Sequence, residues 1–169
     1  GFTAAADAPS AAAKRLAGAR RVFVWAQGNA RILAEMTSSR LASAGLDARN
    51  ISAQGRDLAE RLLTLGKGDV VLAFAFRRLP KALPVLMQHA DTVGAATILV
   101  ADMVGHRLPD PPSLLLAAPR GEDASFLTLS VPMLIANAIV LTLGRVAQDR
   151  ALTALQALDE LQRELDTDD

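Results

Sequence analysis

Five apolar runs punctuate the chain, and each gives way to a polar turn or a segment with helical spacing. The most nearly uninterrupted is Val70 to Ala75, set between Gly68-Asp69 and Phe76-Arg77-Arg78-Leu79-Pro80. A short run without polar alternation suits a strand covered on both faces. Arg21 to Ala26 reads as a first strand, Asp47 to Ile51 as a weaker second, Ala95 to Ala101 as a fourth and Ser113 to Ala118 as a short fifth. Helical spacing fills the gaps between them. Arg31 to Ala44 carries Ile32, Leu33, Met36 and Leu41 on or near one face and stops at Gly45. Leu58, Leu62 and Leu65 mark an amphipathic helix ending at Gly66, and a further helix runs to about Val93.

Prolines qualify this picture. Pro80 and Pro84 stand four residues apart, and proline costs about 3 kcal/mol inside a helix but little in its first turn. Residues 77 to 83 therefore read as loop, with Pro84 opening the helix. Asp102 to Pro112 reads as a long loop holding three prolines. Ala124 to Ala147 reads as a long apolar helix, and Asp149 to about Leu165 as an amphipathic one with Leu152, Leu155, Leu158, Leu161 and Leu165; Thr167 to Asp169 should fray. At the other end, Gly1 to Ser10 reads as a loose lead-in and Ser10 as the N-cap of a short helix through Ala17. Gly1 without an initiator Met reads as the start of a processed or excised piece.

Strands alternating with helices predict an α/β fold: a parallel sheet in a three-layer α/β/α sandwich. The 169 residues suit one domain: a lead-in and short helix over 1–18, an α/β core over 19–147, and a C-terminal helix and tail over 148–169. Composition narrows the function. Half the residues are apolar, so the chain can fill a core, and 18 basic residues balance 18 acidic ones. No global basic field is available for nucleic acid. There is no cysteine, which excludes disulfides, thiolate catalysis and Cys-ligated zinc. No signal peptide or membrane-spanning run is evident, so the expected location is cytoplasmic.

Candidate chemistry gathers at strand ends, where open α/β sheets bind ligands. Ala26-Gln27-Gly28-Asn29-Ala30 joins a strand to a helix whose first N–H groups are suited to an anion; a plain turn is the competing reading. It carries neither a dinucleotide fingerprint nor a P-loop. Arg77 and Arg78 offer planar forks for a phosphate or carboxylate, against the alternative of two solvated charges. Of the two histidines, His89 reads as a surface or packing residue and His106 as a minor catalytic candidate beside Asp102 and Arg107. Neither a catalytic triad nor a metal-ligand spacing can be assembled. The segment Val131 to Leu143 is apolar almost all round and has to be buried on several sides, in the core or in a subunit interface.

With these motifs in hand, residues 10 to 147 resemble the sugar isomerase (SIS) domain, in the version that forms the effector domain of RpiR-type transcriptional regulators. The family's first turn, Gly-x-Gly-x-Ser, is matched by Gln27 to Ala30, with Gly28 kept and the serine lost. Its phosphate loop, Ser-x-Ser-Gly-x-Thr, is matched by Ala75, Phe76, Arg77, Arg78, Leu79 and Pro80, with every hallmark residue replaced. Phe-Arg-Arg after this strand resembles a variant of one branch of these regulators. Val100-Ala-Asp102 matches the strand that ends in a Thr-Asp-like pair, and Ser130 matches a serine at the start of the long helix.

The resemblance implies a flavodoxin-like SIS fold with a five-stranded parallel sheet in the order 2-1-3-4-5. It also implies a homodimer or higher homo-oligomer and binding of a small anion such as a sugar phosphate, with no cofactor and no metal. The implied ligand site comprises Gln27, Gly28, Asn29, Ala30, Ala75, Phe76, Arg77, Arg78, Pro80, Asp102 and Ser130. The alternative arrangement draws one arginine away to pair with an acidic group such as Asp102. DNA would be bound only through a helix-turn-helix domain that this chain does not include. The alternatives are a sugar-phosphate isomerase on the same fold, or a module that has lost its ligand and only dimerises. Isomerisation needs a general base, and the carboxylates nearest the predicted loops, Glu35 and Glu122, are poorly placed for it, so a non-enzyme is expected.

Overall fold

The computed structural model describes residues 2–120 and 128–166, with side chains from residue 7 onward. Five parallel strands, β1 (Val22–Ala26), β2 (Ala48–Asn50), β3 (Val70–Ala75), β4 (Ala96–Ala101) and β5 (Leu114–Ala117), form one sheet in the order β2-β1-β3-β4-β5. The predicted order and direction hold. β1 lies beside β3 with Val22 opposite Val70 and Ala26 opposite Phe74, so the order reverses between their carboxyl ends.

Strand alternation divides the core in two. Val22, Val24, Val70, Leu72, Phe74, Ile98 and Val100 face the layer made by α1 (Phe2–Ala17), α2 (Arg31–Ser43) and α5 (Ser130–Val146). Phe23, Trp25, Val71, Ala73, Leu99 and Ala101 face α3 (Gly55–Leu62) and α4 (Ala82–Val93). β1 and β3 are buried at every position, which is why their sequences show no polar alternation.

The long helices differ from expectation mainly at their ends. α1 begins at Phe2, so the segment read as a lead-in is helical from its second residue. Alanine's high helix propensity carries the chain through Pro9, which lies inside the helix. α4 begins at Ala82, which leaves Phe76 to Lys81 as loop and puts Pro84 in the first turn, where proline is tolerated. α5 starts at Ser130 and not at Ala124: Thr128 and Leu129 are outside it, and residues 124–127 lie outside the described residues. Two local causes fit this start. The Thr128 hydroxyl accepts the Ser130 N–H at 3.1 Å, and Pro132 would break a helix begun earlier. Ile32, expected on the buried face of α2, is 58% exposed; the sheet is met by Leu33, Ala34, Thr37, Ser38 and Leu41. The loop after β4 holds a 3-10 turn, Met103–Arg107, with Gly105 packed so closely that a Cβ there would lie 2.8 Å from Leu115 and 3.1 Å from Ala101.

α6 (Gln148–Asp166) leaves α5 at an angle of 101°. Its first turns rest on the end of α2, where a Cβ on Gly45 (φ 89°) would lie 2.9 Å from Arg150 and 3.1 Å from Ala154. The rest of the helix stands exposed. No single helix among the described residues is long and apolar enough to cross a membrane.

Candidate functional site

Because the sheet order reverses between β1 and β3, the turn after β1 and the loop after β3 are neighbours at one end of the sheet. The first is a 3-10 turn, Gly28–Ala30, running directly into α2. Gly28 sits at φ 60°, a conformation that favours glycine; Gly28 and Asn29 are exposed, Gln27 is half-buried, and Ala30 is buried under them. Ser52, after β2, braces this end of β1 by accepting the Ala26 N–H at 3.1 Å.

The second loop is the more unusual. Arg77 is the one non-glycine among the described residues with positive φ, at 68°. The Arg78 N–H donates to the Phe76 carbonyl at 2.8 Å, so Phe76, Arg77 and Arg78 close a γ-turn with Arg77 at its centre. That turn with positive φ is rare and strained. What holds it comes from the neighbouring strand. β4 pairs with β3 so that Ala101 lies opposite Ala75, which brings Asp102 alongside the turn. Asp102 accepts the Arg77 N–H on Oδ2 at 2.8 Å and the Val104 N–H on Oδ1 at 3.1 Å. The expected alternative of a guanidinium paired with Asp102 is thus replaced by a bond to the arginine's own backbone.

Arg77 and Arg78 are both exposed, and among the described residues neither guanidinium has a hydrogen bond or ion pair. They border a recess of about 360 Å³ with Phe76. Phe76 is half-buried, and Arg120 lies over its ring at 5.2 Å while its Nε donates to the Thr128 carbonyl at 3.0 Å. The Thr128 hydroxyl in turn lies 2.7 Å from that of Ser130. Ser130 therefore reaches this corner through Thr128 and Arg120. Nothing in the sequence singles out Arg120, since a cation over a ring 44 positions away has no spacing rule.

The remaining candidates are placed as follows. Ala75 is buried in the last position of β3, and Pro80 is half-buried in the loop before α4. Glu35 is exposed on α2, and Glu122 lies outside the described residues. His106 is exposed on the turn after β4; His89 is half-buried, with Nε2 at hydrogen-bonding distance, 3.1 Å, from the Leu62 carbonyl. A larger cavity of about 500 Å³ opens at the opposite, amino end of β4 and β5 beside Asp91, Thr97, Asp110 and Ser113. Its hydroxyls are already engaged: Ser113 N–H donates to Thr97 Oγ1 and Thr97 N–H to Ser113 Oγ. Among the described residues no group of three His, Asp or Glu side chains is placed to hold a metal ion.

This arrangement is the fold of a sugar isomerase domain, and known structures agree. The sugar isomerase domain of an RpiR transcription factor from Sphaerobacter thermophilus superposes with a TM-score of 0.80 at 20% identity, covering 91% of this chain and 86% of that one. NanR of Vibrio vulnificus, complexed with ManNAc-6P, gives 0.75 at 15% identity over 94% of this chain and 62% of NanR. The E. coli CFT073 protein c3406, in complex with A5P, gives 0.69 at 18% identity over 82% of this chain and 77% of that one. No protein-family model and no curated protein sequence matches the chain. The SIS fold is shared by regulator domains and by sugar-phosphate isomerases such as the one inferred for Methanococcus jannaschii MJ1247.

Proposed function

We propose that this chain is the effector domain of an RpiR-type transcriptional regulator, sensing a small phosphorylated sugar at the carboxyl ends of β1 and β3. The observation that carries the proposal is the pair of unpartnered guanidinium groups, Arg77 and Arg78, at the point where the sheet order reverses. Guanidinium forks suit a dianionic phosphate, and the structural neighbours NanR and c3406 hold phosphosugars. Binding is favoured over isomerisation by the state of Asp102: both its oxygens accept backbone N–H groups, so it is poorly available as the general base that proton transfer beside a carbonyl requires. The test titrates the protein with ManNAc-6P, A5P and other pentose and hexose phosphates by calorimetry, and follows the same mixtures by NMR for aldose–ketose conversion. Binding without turnover is expected. Sustained conversion of any of them would make the chain an enzyme.

The same proposal includes a homodimer. Leu152, Leu155, Leu158, Leu161 and Leu165 are 44–77% exposed along α6, spaced three or four residues apart. Over 19 residues α6 reaches about 28 Å at 1.5 Å per residue, and only its first turns are seated on α2 and α5. A second copy presenting the same stripe is self-complementary to it, and Leu134, Leu141 and Val146 on α5 extend the apolar surface. A stable interface of this kind buries about 2,000 Å² or more. Light scattering at micromolar concentration is expected to give a dimer mass, and the double substitution Leu155→Asp with Leu158→Asp a folded monomer. A monomeric parent would rule this surface out as a dimer contact.

A further inference from the structure

We infer that Asp102 is the positioning residue of the arginine pair, acting through the backbone and not through contact with ligand. The inference rests on the proposed anion site and adds the element that aims it. Arg77 stands at φ 68°, where an L side chain crowds its own backbone, and the γ-turn around it closes through one short hydrogen bond. Left to itself, a non-glycine residue relaxes out of that region. The restraint is supplied by the Asp102 carboxylate, which bridges the Arg77 N–H at 2.8 Å and the Val104 N–H at 3.1 Å. One anchor is on the loop after β3 and the other on the turn after β4. The second anchor is closely packed, since a Cβ on the neighbouring Gly105 would lie 3.1 Å from Ala101 and 2.8 Å from Leu115. Asp102 thereby ties two strand ends together, and its charge spends itself on amides while both guanidinium groups remain exposed.

The two bonds can be separated by chemistry. Serine at position 102 can still accept from the residue two positions on, so Asp102→Ser keeps the local cap on Val104, but it is too short to reach across to Arg77. In the full chain, Asp102→Ser is expected to speed hydrogen exchange of the Arg77 amide about tenfold, with the amides of β3 unchanged. Phosphate affinity, measured with inorganic phosphate, is expected to fall about three- to tenfold. In an Arg77→Ala background the same change should cost little further affinity, since the residue being aimed is gone. Arg77→Gly gives an independent check: glycine takes positive φ without strain, so Asp102→Ser should lower the melting temperature less in that background than in the parent. An Arg77 amide whose exchange is unmoved by Asp102→Ser overturns the inference, whatever phosphate does. The anion site fails separately, by Arg77→Ala and Arg78→Ala both binding phosphate as the parent does.

Discussion

Asp69→Ala is expected to destabilise the protein by about 3 kcal/mol, the lower part of the range for breaking a buried ion pair. Asp69 immediately precedes β3, and its side chain is fully buried. It accepts bidentate hydrogen bonds from Arg20 (3.1 and 3.0 Å) and from Arg21 (3.1 and 2.8 Å), together with the Gly66 N–H at 2.8 Å. Removing it leaves the Gly66 amide without its acceptor and the Arg21 guanidinium with only the Thr64 carbonyl at 2.6 Å. Arg20 softens the loss, because its side chain is 56% exposed and can turn to water. Burial by itself would raise the Asp69 pKa, but the bonds from Arg21, Arg20 and Gly66 outweigh it and hold the carboxyl below its ordinary 3.8. A depressed carboxylate stabilises the fold above its unfolded pKa and loses that contribution as pH falls through the folded value. Urea midpoints should therefore agree between pH 7 and pH 5.5 and drop below about pH 4. Asp47, held low by its hydrogen bond from Arg49, moves in the same direction. Asp69→Asn should remove most of the acid limb; an unchanged limb in that variant would place the titrating group elsewhere.

Arg77→Ala and Arg78→Ala should each weaken binding of a phosphosugar about tenfold. A hydrogen bond to a charged partner contributes about 1.5–3 kcal/mol, and 1.4 kcal/mol is one decade. Both side chains are exposed, so the lower figure applies. The double variant should approach a hundredfold loss if each arginine binds independently, and less if the two grip one phosphate as a unit. Raising salt should erode the parent's affinity more than that of the double variant. Arg15→Ala, exposed near the end of α1 and at the opposite end of β1, serves as the control and should bind as the parent. Calorimetry decides: equal affinity in all of these proteins would make the arginines surface charges.

Much of the fold was legible because parallel strands buried on both faces must be apolar throughout. Val70 to Ala75 and Val22 to Ala26 announce themselves this way, and the polar residues that interrupt them fall at the strand ends where ligands bind. Helix ends were harder. Ser10 looked like a start because capping residues are local signals, yet α1 begins at Phe2; Ala124 looked like a start because apolar periodicity does not stop at Pro132.

The site divides along the same line. The sequence by itself determined the strands, their order in the chain, and the arrival of two adjacent arginines at the carboxyl end of the central one. Only the tertiary structure decided what stands beside those arginines. The β3–β4 register sets Asp102 beside Arg77, 25 residues earlier, and the carboxylate takes the amide in place of the guanidinium. The same holds for Asp69, whose partners lie 48 and 49 residues away, and for Arg120 over Phe76. α6 shows the limit most plainly: its leucines have one spacing whether their own core or a second copy covers them, and only packing reveals that this chain leaves them bare. Periodicity reports which side chains avoid water, whereas a contact depends on which strand ends the sheet brings together.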